Sequence, residues 1–465
     1  MIASYCKNGI FKLETDFTNL VSEYCAEYAC DCFSNSIYNH AIRSRRRSVM
    51  LDPAVIDFKD IYCTDDADEK QTARFNNAIE EFKKTFPGIE PEALFSAPGK
   101  TEIGGNHTDH QHGEVLAASI NKDAIAVTAP TGDNKVSILA EGFGMTDIDL
   151  GELTPRSDET GTTASLIRGV LAGLNNNGYR LGGFNAYITS DVLIGAGLSS
   201  SAAFETLIGT IVAGLYNDMS IDPVDIAKAG HYAENTYFGK PCGLMDQMAC
   251  SVGNLVHIDF KDPDQPSVDR IDFDFSRTDY VICITDTKGS HADLTDEYAA
   301  VPAEMKKIAS LLGHDILRPV TFEDITENIG MLRKEAGDRA VLRAIHFVNE
   351  TGRAGAEAEA LRRKDTDEFI RLVKASGDSS FKYLQNVYSN KDVTVQNVSL
   401  ALAISDTVLG AGEASRVHGG GFAGTIQAFV KKKNAALYQK QMDKVFGEGS
   451  CEILAIRKYG GIRVL

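Results

Sequence analysis

An aspartate in an apolar, amide-rich setting is the first candidate for chemistry. Asp246 follows the loop Lys240-Pro241-Cys242-Gly243 and stands among Leu244, Met245, Gln247 and Met248. A carboxylate there can take a proton from a substrate hydroxyl, or it can cap a turn, a common use of Asp. Lys100, in Ala97-Pro98-Gly99-Lys100, can bring positive charge to a moving phosphoryl group or to the base; the plain alternative is a solvated lysine. Glu234 precedes Asp246 by twelve residues. A glutamate oxygen and a serine hydroxyl can hold Mg²⁺ together, and a solvated helix glutamate is the other reading. Tyr298, in Asp296-Glu297-Tyr298, suits either a core or a sugar-facing position.

The segment 193–203 adds a phosphate cradle. Gly195, Ala196, Gly197 and Leu198 form a small-residue loop, followed by Ser199, Ser200 and Ser201. A helix pattern then starts, with Phe204, Leu207, Ile208, Ile211, Val212 and Leu215 at three- and four-residue steps. Such a loop presents unpaired N–H groups and the positive end of a helix dipole, which together bind phosphate. A plain strand–turn–helix join would use small residues too. No Gly-Lys-Ser/Thr follows the glycines, so the loop is not a Walker A sequence. It also lacks the second glycine of the Gly-x-Ser-x-Gly nucleophile turn.

Two further clusters share the loop's character. Gly104-Gly105-Asn106-His107-Thr108-Asp109-His110 lies upstream, and His418-Gly419-Gly420-Gly421-Phe422-Ala423-Gly424 downstream. One polyanionic ligand shared by all three explains them together. His107, His110 and His112 with Asp109 admit a metal reading, but steps of three and two residues diverge around a helix axis. Asn106, His107 and Asp109 also form a mixed donor and acceptor surface suited to a polyhydroxylated ligand.

The elements that must position these residues are mixed. Helix patterns run over 74–86 and around Leu166, Ile167, Val170, Leu171 and Leu174. Residues 124–128 and 136–140 read as a hairpin around Thr131-Gly132-Asp133-Asn134. Strand-like runs occupy 280–285, 425–430 and 452–457, with mostly helix from 302 to 406 and another helix near 435–446. This mixture points to an α+β fold. The 465 residues are enough for two or three cores, and 43% hydrophobic with 24% charged residues is ordinary for a globular chain. A net charge of −18 disfavours nucleic acid and anionic membranes as partners. No apolar run is long enough to cross a bilayer, and no signal peptide pattern opens the chain. The nine cysteines lack paired spacing, which reads as reduced thiols in a cytoplasmic protein. Residues 1–50, with the basic run at 43–47, read as an atypical extension, and Met50 as a possible true start.

With these residues in hand, the chain resembles the galactokinases of the GHMP small-molecule kinase superfamily. The family's first motif is similar to residues 97–109, its second to 195–202 and its third to 419–424. The segment 241–247 resembles the stretch that bears the family's catalytic aspartate, which falls on Asp246. The resemblance implies an S5-like N-terminal domain over 51–275 and a ferredoxin-like C-terminal domain over 276–465. It implies MgATP and phosphorylation of galactose at the anomeric hydroxyl. Asp246 and Lys100 are then catalytic, residues 195–201 bind the triphosphate, and Ser201 with Glu234 falls at the Mg²⁺ positions. Asn106, His107, Asp109 and Tyr298 fall where the sugar is held. The implied partners are the sugar and ATP, with no obligate protein partner evident. Three departures stand out. Lys100 replaces the usual Arg and Asn106 the usual Glu, and the first fifty residues have no counterpart. Asn106 keeps open another sugar of the same superfamily, such as an amino sugar, a uronic acid or arabinose. A non-catalytic galactose sensor is a weaker alternative, because residues 197–202 are intact and Asp246 is present.

Overall fold

The computed structural model describes residues 51–465, apart from Ile194 and residues 290–293. The extension expected at 1–50 lies outside the described residues. Helices α1 (Phe58–Tyr62) and α2 (Ala67–Thr85) come first, then β1 (Ala93–Gly104), β2 (Glu114–Pro130), β3 (Lys135–Ala140) and β4 (Gly144–Asp149). Helix α3 (Thr163–Asn176) leads to β5 (Phe184–Ser190), and α4 (Ser200–Tyr216) to α5 (Pro223–Tyr232). A π-turn at Ala233–Phe238 precedes α6 (Met245–Val252), β6 (Leu255–Asp259) and β7 (Ser267–Ile271). Beyond β8 (Tyr280–Asp286) the chain is helical: α7 (Thr295–Leu311), α8 (Phe322–Glu327), α9 (Ile329–Ala336), α10 (Asp338–Arg362), α11 (Thr366–Ser379) and α12 (Asn397–Val408). It closes with β9 (Ala414–Val417), β10 (Thr425–Lys431), α13 (Lys432–Phe446), β11 (Cys451–Leu454) and β12 (Ile462–Arg463). The α+β class expected from the sequence is the one adopted.

The strands form two sheets. The first runs β12-β1-β2-β5-β3-β4, with β6 and β7 continuing from β2. The second is an antiparallel sheet of order β11-β8-β10-β9. The hairpin expected between residues 124–128 and 136–140 does not form. Strand β5 lies between β2 and β3, antiparallel to one and parallel to the other. The reason is local: the Thr131 N–H donates to the Gly183 carbonyl and the Gly183 N–H to the Asp133 carbonyl. The turn therefore receives the start of β5 instead of closing on itself.

Both faces of the first sheet are covered, which is why every residue of β1 is buried. On one face Phe95, Val136, Ile138 and Phe184 pack against Ile167, Val170 and Leu171 of α3 and Leu207, Ile208 and Ile211 of α4. The Thr162 hydroxyl starts α3 by accepting from the Ser165 N–H. On the other face Phe75 and Phe82 of α2 meet Leu94, Ile125 and Val127. Each of these fully buried phenylalanines contributes about 2 kcal/mol. A further core joins the sheets through Ile103, Leu116, Ile120 and Leu198 with Ile282, Ile284 and Phe429. Residues 51–465 thus make one compact unit.

Candidate functional site

Strand β1 pairs irregularly with β2 between Pro98 and Lys100 and again between Glu102 and Gly104. The first irregularity brings Gly99 against the small-residue loop: a Cβ there would lie 2.7 Å from the Leu198 carbonyl oxygen. The Lys100 N–H donates to that carbonyl at 3.0 Å. The lysine side chain is buried, and its Nζ lies 2.9 Å from Asp246 Oδ1. Burial alone would push this amine down, but the Asp246 and Glu102 carboxylates outweigh it and hold its pKa above the ordinary lysine value. Lys100 is therefore a fixed cation. Asp246 sits in the first turn of α6, and its other oxygen, Oδ2, accepts from the Ser199 hydroxyl.

The loop that supplies Ser199 needs its glycines. Gly195 and Gly197 have φ of 80° and 71°. A Cβ on Gly197 would also come within 3.0 Å of His418 Nδ1. Ser199 precedes α4 and, among the described residues, its side chain makes no capping bond. The first N–H groups of α4 are thus not capped by Ser199 and lie at the positive end of the dipole, a suitable seat for phosphate. Ser200 opens the helix. The Ser201 hydroxyl donates to Glu234 Oε1 at 2.8 Å. Glu234 is buried on the π-turn, a geometry frequent at functional sites. Its Oε2 accepts from Gln247 Nε2 at 3.1 Å, and Lys240 Nζ lies 3.4 Å from Oε1. Gln247 also donates to Glu205. Burial, then the nearby Glu234, raise Glu205 well above the usual carboxyl range.

Across from this cradle, His107 Nε2 lies 3.0 Å from the Gly420 carbonyl oxygen. A carbonyl only accepts, so Nε2 carries the proton and Nδ1 is left as an acceptor. Burial pushes the imidazole down to about 4, which keeps it neutral at physiological pH. Asp109 lies against the Pro241-Cys242-Gly243 loop: a Cβ on Gly243 would come 2.6 Å from Asp109 Oδ2. The Tyr298 hydroxyl donates to the Gly421 carbonyl at 2.8 Å, and its ring stands edge-on to Phe422. Gly420 has to be glycine here, because its Cβ would meet the tyrosine ring at 2.8 Å.

The structure thus gathers Lys100, Asp246, Ser199, Ser201 and Glu234 on one side and His107, Asp109 and Tyr298 on the other. Asn106 behaves differently. It is fully buried, and its amide is spent within the protein. Nδ2 donates to Glu102 (2.9 Å) and the Gly419 carbonyl (2.8 Å), while Oδ1 accepts from Asn386 (2.8 Å). The sugar-facing position expected for Asn106 is therefore not where its amide points: it ties the first cluster to the third. Among the described residues no group of three or more His, Cys, Asp or Glu is placed to hold an ion, so His107, His110, His112 and Asp109 do not converge as a ligand set.

The supports behind these residues are not legible in the sequence. His346 Nε2 contacts the Asn106 carbonyl at 2.9 Å, and Glu350 Oε1 accepts from the Gly105 N–H at 3.3 Å. Both come from one buried face of α10. Arg416 pairs with Glu102 at 2.8 Å, and His418 bridges Thr101 and Thr425 at 3.0 Å each. The spacing 346–350 is a helical step, but charged residues at that step read from sequence as a solvated face.

Residues 80–130 match the family model described as the galactokinase galactose-binding signature, and residues 165–254 that of the GHMP kinases N terminal domain. A galactokinase of Streptomyces coelicolor is 30% identical over 373 residues, covering 79% of this chain and 92% of that protein. One from Lactobacillus helveticus is 29% identical, covering 79% and 94%. Among solved structures, Lactococcus lactis galactokinase complexed with galactose aligns with a TM-score of 0.70 at 23% identity, over 84% of this chain and all of that one. The mevalonate kinase of Methanococcus jannaschii aligns with a TM-score of 0.57 at 16% identity, covering 80% and 99%.

Proposed function

The chain belongs to the galactokinase family of GHMP kinases, and from that membership and the site's geometry we infer that it transfers the γ-phosphoryl group of ATP to the anomeric hydroxyl of galactose. The observation that carries the chemistry is the Lys100–Asp246 pair beside the phosphate cradle, with its 2.9 Å contact. In this reading the sugar lies between His107, Asp109 and Tyr298, and its anomeric oxygen attacks the γ-phosphorus. The new O–P bond forms as the bond from that phosphorus to ADP breaks. The hydroxyl proton passes to Asp246 and then to solvent. Lys100 orients Asp246 through their 2.9 Å contact and adds positive charge beside the transferring group. Most of the barrier reduction comes from positioning and charge, as expected of phosphoryl transfer.

Mg²⁺ fits the residues present. Ser201 and the buried Glu234 put two hard oxygen donors side by side at the start of α4, a donor set suited to Mg²⁺ with phosphate oxygens. When bound, the ion would neutralise charge on the triphosphate. The chain's own part is to hold Glu234 through Ser201, Gln247 and Lys240. The N-terminal domain, 51–275, supplies the cradle, Lys100 and Asp246; the C-terminal domain, 276–465, supplies Tyr298 and the third loop. A cytoplasmic setting supplies ATP and suits the free thiols Cys63, Cys242, Cys250, Cys283 and Cys451. Among the described residues, no helix is long and apolar enough to cross a membrane. The test is ADP release across a panel of free monosaccharides. Galactose should turn over fastest; faster turnover of an amino sugar, a uronic acid or arabinose would overturn the assignment.

A further inference from the structure

Three serines follow one another in the small-residue loop, and they do not share a task. Ser201 points to Glu234, on the side read above as the Mg²⁺ seat. Ser199 points the other way, with its hydroxyl on Asp246 Oδ2. Ser199 is also in the left-handed backbone region, with φ of 60°. Glycine takes that conformation freely, whereas serine is strained there. Strain at one residue persists only where its surroundings impose it, and such residues gather at functional sites. A serine before a helix ordinarily recovers stability by capping the second or third N–H. Ser199, among the described residues, makes no such bond. The position therefore carries a backbone cost and forgoes the usual return, and its hydroxyl contacts one group the reaction needs.

We propose that Ser199 is a positioning residue for Asp246, forming with Lys100 a two-armed clamp that fixes both carboxylate oxygens before the sugar arrives. The proposal rests on the reading of Asp246 as the proton acceptor. Lys100 holds Oδ1 from β1, and Ser199 holds Oδ2 from the phosphate loop. A carboxylate oxygen has more than one lone pair. Oδ2 can thus keep the Ser199 hydrogen bond and still accept from the anomeric hydroxyl, with its plane already set. The clamp makes the carboxylate's orientation depend on the same loop that cradles the triphosphate. A direct ligand of the phosphates would do something different: it would set nucleotide affinity and leave the base alone.

The test compares Ser199→Gly and Ser199→Ala with the wild type and with Asp246→Asn, on the full chain with MgATP and galactose. Both Ser199 variants should lose kcat by about tenfold to a hundredfold, the scale of a misplaced reacting group. Their KM values for ATP and galactose should stay within about twofold, since ground-state binding is untouched. Ser199→Gly should melt at or above the wild-type temperature, because it relieves the left-handed strain; a serine kept only for folding would lose stability instead. A large rise in ATP KM with kcat preserved would overturn the proposal in favour of a phosphate ligand. Near-normal rates in both variants would overturn it, as would a slow Ala variant beside a normal Gly variant, which would trace the effect to backbone strain. Asp246→Asn separates the layers. If it is inactive while the Ser199 variants are normal, only the clamp fails; if it turns over normally, the reading of the base fails as well.

Discussion

Lys100 and Asp246 form an unequal pair: the lysine side chain is 4% exposed and the carboxylate 38%. Removing the lysine leaves a carboxylate that water can still reach, whereas removing the carboxylate strands a buried cation. The pair therefore serves chemistry more than stability. Lys100→Met, which keeps most of the packing volume, should fold with little change in melting temperature and lose about a hundredfold to a thousandfold in kcat. Steady-state kinetics beside a thermal melt check this, and an unchanged kcat would contradict it. Lys100, Asp246 and the glycine loop were legible in the sequence because each belongs to a short run of unusual residues. The Ser199 contact was not, because it joins positions 47 residues apart that only the fold brings together. Asn106 was legible as a polar residue in a functional cluster but not in its direction, which is decided by Asn386 and Gly419 from distant segments.

Helix α10 shows how an element far along the chain sets the geometry of an early loop. Its buried face carries His346 against the Asn106 carbonyl and Glu350 against the Gly105 N–H. These contacts fix the turn that delivers His107, itself in the left-handed region at φ of 59°. Burial alone would raise the Glu350 pKa, but His346, Arg353 and Arg416 outweigh it and hold the carboxyl below its usual range, so it is ionised. Glu350→Ala would leave Arg353 and the Gly105 N–H without this acceptor in the interior. It should cost about 3–5 kcal/mol in urea unfolding, and it should raise the galactose KM as the turn loosens. A loss below about 1 kcal/mol, the size of a surface pair, would contradict the role given to α10. The helices α3 and α4 were plain from their apolar periodicity. The polar face of α10 was not, since buried and solvated charges have the same spacing. The hairpin expected between 124–128 and 136–140 failed for a related reason: a turn sequence does not reveal that a later strand, β5, will enter beside it.

The whole molecule is stitched through its site. Strand β12, at the end of the chain, pairs with β1 at Phe95 and Ser96, and the third glycine loop reaches the first through Asn106. A sequence read in windows sees neither closure. The same closeness buries histidines. Burial, the largest influence in each case, lowers His107, His346 and His418, with Lys100 and Arg416 adding to the effect on His418. A histidine whose pKa is lower folded than unfolded binds fewer protons in the native state. The stability it allows is full above the unfolded value near 6.5 and falls as pH drops below it. Each of the buried His346 and His418 should thus remove up to about 1.4 kcal/mol per pH unit below pH ~6.5. Unfolding free energy should be flat from pH 8 to 7 as far as these residues are concerned, and should decline steeply towards pH 5. Urea titrations across that range check the slope, and stability that rises on acidification would contradict it. Phosphorus NMR of the purified enzyme with galactose, ATP and Mg²⁺ reads the transfer itself. ADP and galactose 1-phosphate should appear in equal amounts. Phosphate on another hydroxyl, or ATP left intact with galactose bound, would contradict it.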